Sequence, residues 1–345
     1  MPHEPNASRG GLAVGMTTGA ADGPLTDRLR VLRGGLRPTP LLALRDDRLD
    51  LFTKLEFCNV NGSAKDRAAL WILQQAVERG DVCAGTTIVE SSSGNFALSL
   101  ASYGAAVGVP FVPVIDPHCN RSTEAYLRAL CPAVEKVTEP DGTGGYLGTR
   151  LARVRELTAL DPAVYWPDQY RNPDAAEAHY RFTGGELCDA VPRLDYLFVG
   201  VGTGGTIAGL SHRVKERFPG CAVIAVDAAG SAIFGGPPAP RRIPGLGSGI
   251  VPPLVGQALI DDVVLVPELD AVTGCHDLLA EHGVYAGGST GSVFHAIGSY
   301  FAANPAPRRT PTVAFLCADR GHAYADTVYN PDWVRTLAEP CPAAA

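Results

Sequence analysis

A lysine in an unfavourable place is the first sign of chemistry in this chain. Lys65, in Asn61-Gly62-Ser63-Ala64-Lys65-Asp66-Arg67, falls in the first turn of a helix that the spacing of Ala69, Leu70, Ile72, Leu73 and Ala76 predicts. The positive end of a helix macrodipole disfavours an ammonium there and lowers its pKa. An amine that sheds its proton near neutrality is a nucleophile, able to form a Schiff base with a carbonyl cofactor. Taken alone, the heptapeptide reads more simply as a solvated lysine beside Asp66.

Three further segments could hold anions. Glu90-Ser91-Ser92-Ser93-Gly94-Asn95-Phe96 follows a strand and opens a helix, so its hydroxyls and the free amides of the first helical turn suit a carboxylate. A helix cap by Ser92 or Ser93 is the plainer reading, and it needs only one hydroxyl. Gly200-Val201-Gly202-Thr203-Gly204-Gly205-Thr206 also joins a strand to a helix and suits a phosphate monoester. No GK[ST] follows it, so it is not a P-loop. Gly200, Gly202 and Gly205 do fit a GxGxxG register, with Asp227 available as a ribose acid, so a dinucleotide stays open here. Gly287-Gly288-Ser289-Thr290-Gly291 offers a hydroxyl to a heteroaromatic nitrogen, or is merely a glycine-rich helix start. Arg241-Arg242-Ile243-Pro244-Gly245-Leu246-Gly247-Ser248-Gly249 is a glycine-rich loop carrying two cations, able to close over an anionic substrate or to stay solvated.

Other chemistry is poorly supported. The histidines lack HxxxH and HExxH spacing, so structural roles are expected for them. There is no GxSxG elbow. The nine cysteines form no CxxC and no Cys/His pair at zinc-ligand spacing, so no metal site is expected and the thiols read as reduced and mostly buried.

The elements that must position these residues follow from the composition and its periodicity. The 345 residues, 46% apolar and 19% charged, describe a globular chain long enough for two domains. A net charge of −7 with no basic stripe argues against nucleic acid. No run approaches the roughly 18 apolar residues of a membrane span, and the amino-terminal segment lacks a secretory pattern, so no membrane partner and a cytoplasmic location are expected. Buried strands are predicted at 86–89, 111–115, 134–138, 196–201, 222–226, 262–266 and 312–316. Helices are predicted at 95–108, 121–131, 146–159, 174–190, 204–218, 268–282 and 290–303. The alternation predicts an α/β chain with two doubly wound, mostly parallel sheet domains and a ligand cleft between them. Residues 1–25 read as a frayed tail, with a similar composition at 340–345. A smaller mobile domain is expected at 59–169, and a larger cofactor-binding domain from 26–58 and 170–338.

Taken in order, GSAKDR, SSSGN, GTGGT and GGSTG resemble the cysteine synthase and tryptophan synthase β-subunit family, pyridoxal-phosphate enzymes of fold type II. The resemblance runs from Thr39-Pro40-Leu41 to about Tyr324. It implies that Lys65 carries pyridoxal 5'-phosphate as an internal aldimine and that Asn95 bonds the ring hydroxyl. It implies that Gly202, Thr203, Gly204, Gly205 and Thr206 cradle the phosphate and that Ser289 meets the ring nitrogen. Ser92, Ser93, Gly94, Asn95 and Phe96, together with Gln169, would hold the substrate α-carboxylate. The loop at 245–249, with Gly247 and Ser248, matches the family's active-site loop, and Asp319-Arg320-Gly321-His322-Ala323-Tyr324 resembles its carboxy-terminal motif.

The implied reaction is β-replacement on an activated serine. Lys65 removes the α-proton, a leaving group departs, and a nucleophile adds to the aminoacrylate. The sulfhydrylases of the family usually carry threonine where this chain has Phe96. The SSSGNF loop and the stretch Ala325–Trp333 are more similar to the branch that makes N-(2-amino-2-carboxyethyl)-L-glutamate from O-phosphoserine and L-glutamate, feeding 2,3-diaminopropionate into siderophores and peptide antibiotics. A cysteine synthase is the alternative, and a non-catalytic ligand-binding homologue a more distant one. Arg241, Arg242 or Arg171 is expected to bind the phosphate or the glutamate carboxylates, since such dianions need charge-assisted pairing. Small amino-acid substrates are the expected partners, and the resemblance implies a homodimer.

Overall fold

The computed structural model describes residues 24–142, 145–304 and 309–337. In chain order its elements are α1 (Leu25–Gly35), β1 (Leu41–Leu44), β2 (Asp50–Leu55), α2 (Lys65–Arg79), β3 (Thr87–Ser91), α3 (Asn95–Val107), β4 (Phe111–Ile115), α4 (Arg121–Leu130), β5 (Glu135–Lys136), α5 (Leu147–Leu160) and β6 (Val164–Tyr165). There follow α6 (Pro173–Ala178), a π-helical segment (His179–Gly184), α7 (Gly185–Ala190), β7 (Tyr196–Gly200), α8 (Gly205–Arg217), β8 (Ala222–Ala228), β9 (Asp262–Val266), α9 (Glu268–His282), α10 (Gly288–Ala303), β10 (Thr312–Cys317) and α11 (Pro331–Leu337).

Two sheets result. The larger has the order β1-β2-β10-β7-β8-β9, parallel throughout except for the β1–β2 hairpin. The smaller, β5-β4-β3-β6, is wholly parallel. Alternating side chains of β7 explain why its run is apolar: Phe198 packs on Val293 and Ile297 of α10, while Leu197 and Val199 pack on Leu210 and Val214 of α8. A strand covered on both faces has no position for a polar residue. In the smaller sheet Ile88 and Phe111 face α2 and α3, and Val89 and Val114 face Val154 of α5.

Several expectations are corrected. The tail read as 1–25 lies mostly outside the described residues, as does the stretch 340–345, and Leu25 already opens a helix. That helix buries Leu29 among α2 and α3, so the first helix joins the core of the smaller sheet while β1 and β2 join the larger sheet. The helix predicted over 174–190 is three segments, with a π-helical turn in the middle. Strands β1, β2 and β6 were not anticipated. All eight described cysteines are free, yet Cys58 and Cys83 are exposed. Among the described residues no helix is long and apolar enough to cross a membrane.

Candidate active site

Parallel sheets expose their ligand-binding loops at the carboxyl ends of their strands. Here Ser91 ends β3 ahead of the SSSGN loop, Gly200 ends β7 ahead of GTGGT, and Asp319 follows β10. Lys65 is the first residue of α2, as its neighbours predicted. The turn before it is fixed by Asp66, which is not solvated: its carboxylate accepts the Asn61 amide N–H at 2.7 Å, the Asn61 side chain at 2.8 Å and the Ser99 hydroxyl at 2.7 Å. The Ala64 N–H donates to Ala318 O at 2.8 Å, tying the turn to the end of β10.

Lys65, Gly202, Thr203, Gly204, Thr206, Gly245 and Ser289 line one cavity. The Lys65 side chain is half-buried, and desolvation pushes its pKa down against the attraction of Asp319. The direction is the one expected from the sequence, but its principal cause is desolvation. A second, small cavity places Phe96, Gln169, His179 and Thr206 beside Lys65.

The glycines explain how backbone reaches the cavity. Gly204 holds φ at +89°, and a Cβ there would lie 2.7 Å from the Val255 nitrogen. A Cβ on Gly202 would meet Gly245 O at 3.0 Å. Backbone packed against Gly202 and Gly204, with α8 opening at Gly205, makes an arrangement suited to a phosphate. A desolvated amine, a phosphate cradle and the Ser289 hydroxyl in one cavity fit pyridoxal phosphate.

Comparison with known proteins decides the class. Residues 32–318 match the family described as "Pyridoxal-phosphate dependent enzyme".

The chain belongs to that family.

It is a fold type II pyridoxal-phosphate enzyme, and the dinucleotide reading of Gly200, Gly202 and Gly205 falls. It is 41% identical over 307 residues, 88% of this chain and 90% of the relative, to the N-(2-amino-2-carboxyethyl)-L-glutamate synthase of Ralstonia nicotianae. It is 38% identical over 305 residues, 87% of this chain and 89% of the relative, to the synthase of that name from Cupriavidus metallidurans. Among solved structures it is similar to a hydrogen sulfide-producing enzyme from Fusobacterium nucleatum, with a TM-score of 0.80 and 28% identity over 90% of this chain and 96% of that one.

Of the two readings of the SSSGN loop, the structure shows the cap. Ser92 caps α3 by accepting the Ala97 N–H at 3.2 Å. The Ser93 hydroxyl donates to Asp116 at 3.0 Å and accepts from Arg150 at 3.0 Å. The amides at 94–96 come to the helix start, where helix geometry leaves the first N–H groups without intrahelical partners. Gln169 is buried, its side chain donating to Ser91 O at 3.1 Å and its N–H to the Glu90 carboxylate at 3.2 Å. Glu90 is itself wholly buried, and burial raises its pKa to about 8 despite donors from Gln169, Trp166 and Ser91.

The arginines divide. Arg241 packs on Gly247 and, with Ser248, lines an opening of about 800 Å³ that also includes His118, Tyr146 and Arg150. Arg242 turns the other way: its guanidinium bonds Thr336 and lies 5.0 Å over the Trp333 ring. Arg171 is largely exposed and pairs loosely with Asp168 at 3.8 Å. Neither Arg242 nor Arg171 lines a described cavity of the site: Arg242 is held by Thr336 and Trp333, and Arg171 extends into solvent. Arg150, largely buried and paired with Asp116 at 3.2 Å, is the cation that the sequence reading missed. It is one arginine among several in α5, and no motif singles it out. His179 was also passed over. Its Nε2 lies 3.2 Å from the Thr206 hydroxyl and its Nδ1 3.0 Å from Thr183, and burial pushes its pKa down to about 3, so the ring is neutral.

Proposed function

We propose that this β-substituting pyridoxal-phosphate enzyme joins the three-carbon unit of O-phospho-L-serine to the amino group of L-glutamate, giving N-(2-amino-2-carboxyethyl)-L-glutamate and phosphate. The observation that carries the reading is the opening that Arg150 and Arg241 line together with Asp116 and Asp141, reached from the SSSGN loop through the bond from Arg150 to Ser93. Two arginines match a phosphate leaving group or a dicarboxylate nucleophile, whereas hydrogen sulfide needs neither. The names of the 41% and 38% identical relatives agree with it.

When bound, the cofactor supplies an electron sink for the carbanion at Cα. The Lys65 amine, whose charge desolvation disfavours, takes the α-proton of the substrate and later returns one. Gly202, Thr203, Gly204, Gly205 and Thr206 hold the cofactor phosphate, Ser289 faces the ring nitrogen and Asn95 the ring hydroxyl. The amides at 94–96 and Gln169 hold the substrate α-carboxylate, with Ser92 and Ser93 serving mainly to shape that loop. Phe96 excludes water beside the amine. Arg150 and Arg241 neutralise the departing phosphate or orient the glutamate. The reading extends to a homodimer in the cytoplasm, to a smaller domain at 59–169 that closes on the larger one, and to a product that supplies 2,3-diaminopropionate for a siderophore or peptide antibiotic.

The test is a product assay by mass spectrometry with O-phosphoserine plus glutamate and with O-acetylserine plus sulfide. The condensed amino acid and stoichiometric phosphate are expected from the first pair. Cysteine as the faster product, or turnover of O-acetylserine alone, overturns the assignment in favour of a cysteine synthase. Arg150→Ala and Arg241→Ala should each raise KM for one substrate by about tenfold or more, the loss of one charge-assisted contact.

A further inference from the structure

One buried carboxylate touches four segments of the site. Asp319 is 5% exposed, and its Oδ2 accepts a bond from Asn95 Nδ2 at 2.7 Å and another from the Tyr324 hydroxyl at 2.9 Å. Its backbone bridges Ser63, two residues before Lys65, and its carbonyl accepts the Gly287 N–H at 3.1 Å. A Cβ on Gly287 would lie 2.1 Å from Asp319 Oδ1, so the carboxylate packs directly on the turn that leads to Ser289. Oδ1 has no hydrogen-bond partner among the described residues. Burial raises the carboxyl pKa and the Lys65 charge opposes that rise, while Cys275, Cys317 and Tyr324 are the other titratable neighbours.

A carboxylate oxygen that already takes a tyrosine hydroxyl can face an asparagine amide only as an acceptor. The Asn95 side chain must therefore turn its nitrogen toward Asp319. A proton added to the carboxyl would sit on Oδ1, because Oδ2 is doubly engaged, so both protonation states impose the same amide orientation. One Asn95 N–H is used, and the second is held in a fixed direction.

We propose that Asp319 is a positioning residue that locks the Asn95 amide so that its second N–H is presented to the ring hydroxyl of the cofactor. The inference rests on the assignment of Asn95 to that hydroxyl made above. A donor fixed on the ring oxygen favours its ionised form, so the lock is readable in the visible absorbance of the bound cofactor as a function of pH.

The experiment titrates that absorbance in holoenzyme for the wild type, Asp319→Ala, Asn95→Ala and the double variant. Asp319→Ala removes the acceptor that holds the Asn95 amide, and should move the titration midpoint in the same direction as Asn95→Ala, by about half a pH unit or more. The double variant should move no further than Asn95→Ala alone, the coupling expected when one residue acts through the other. An unchanged midpoint in Asp319→Ala beside a shifted one in Asn95→Ala overturns the proposal. Additive shifts overturn it too, since Asp319 would then act by its charge alone. Unchanged midpoints in both overturn the role given to Asn95 instead. Asp319→Glu, which keeps the charge and displaces it by one methylene, is the second variant should Asp319→Ala not fold, and is expected to shift the midpoint likewise.

Discussion

At the residue scale, the site is a set of side chains whose ordinary behaviour has been changed by burial. Lys65 is the clearest case. A helix start disfavours its charge and desolvation disfavours it further. The heptapeptide announced the first effect, while the second belongs to the cavity and has no signature in sequence. Gly204 was legible as a glycine in a glycine-rich loop, but its reason for being glycine was not: the contact with Val255 comes from a segment some fifty residues away. Gly204→Ala should therefore weaken cofactor binding by at least about tenfold, from 1–2 kcal/mol of left-handed backbone cost plus the displaced Val255. Titration of cofactor-stripped protein with pyridoxal phosphate reads this, and an unchanged Kd would remove Gly204 from the cradle. Arg150 marks the limit of legibility at this scale. One arginine among several in a helix is identical in sequence whether it faces solvent or Ser93.

At the element scale, strands β7, β8 and β10 were readable because both of their faces are covered and their sequences are apolar except for Thr312 at the start of β10 and Asp227 near the end of β8. Strand β2 was not, because it carries Thr53 and Lys54 into the interior. Lys54 is buried there because Glu186 lies 2.7 Å from its ammonium. Glu186 also takes Arg67 of α2 through two nitrogens, at 2.7 and 2.8 Å, and Glu56 lies 3.3 Å from the Arg67 Nε. This cluster fixes the helix that starts at Lys65 to α7 and to β2. Arg67→Met would leave Glu56 and Glu186 facing each other with only Lys54 between them. Removing one partner of a buried pair costs about 3–5 kcal/mol, so urea unfolding should show a loss of that order. A loss below about 1 kcal/mol would mean that the cluster is solvated and does not anchor α2.

At the scale of the whole molecule, Glu90 and His179 impose opposite pH dependences on stability. Burial raises the folded pKa of Glu90 to about 8 from a model-compound value near 4.5, so the folded state holds a proton that the unfolded chain has lost, and stability falls as pH rises across that interval. His179, pushed down to about 3 from 6.5, is neutral where the unfolded chain is charged, so stability falls as pH drops through that interval. Between about pH 4.5 and 6.5 the two slopes cancel, each being about 1.4 kcal/mol per pH unit. Between 6.5 and 8 Glu90 acts without that opposition. The difference in unfolding free energy between Glu90→Gln and the wild type should therefore grow in favour of the variant over pH 6.5–8 in cofactor-free protein. A difference that stays constant over that range would mean that the Glu90 pKa is not raised. Both groups sit under the site, yet the sequence placed neither in an ionisable role. Their pKa values depend on how tightly the sheets and helices close over them, which is a property of the assembled chain.

The π-helical turn at His179–Gly184 has a consequence for how this chain can change length. Helical residues are spaced by about 100° around the axis. The turn stands between His179, which meets Thr206, and Glu186, which holds Lys54 and Arg67. The π turn, bonded i to i+5, rotates less per residue, so it fits an extra residue into about the same angle that an α-helix would cover with one fewer. The segment therefore accommodates that extra residue while keeping His179 and Glu186 directed at their partners.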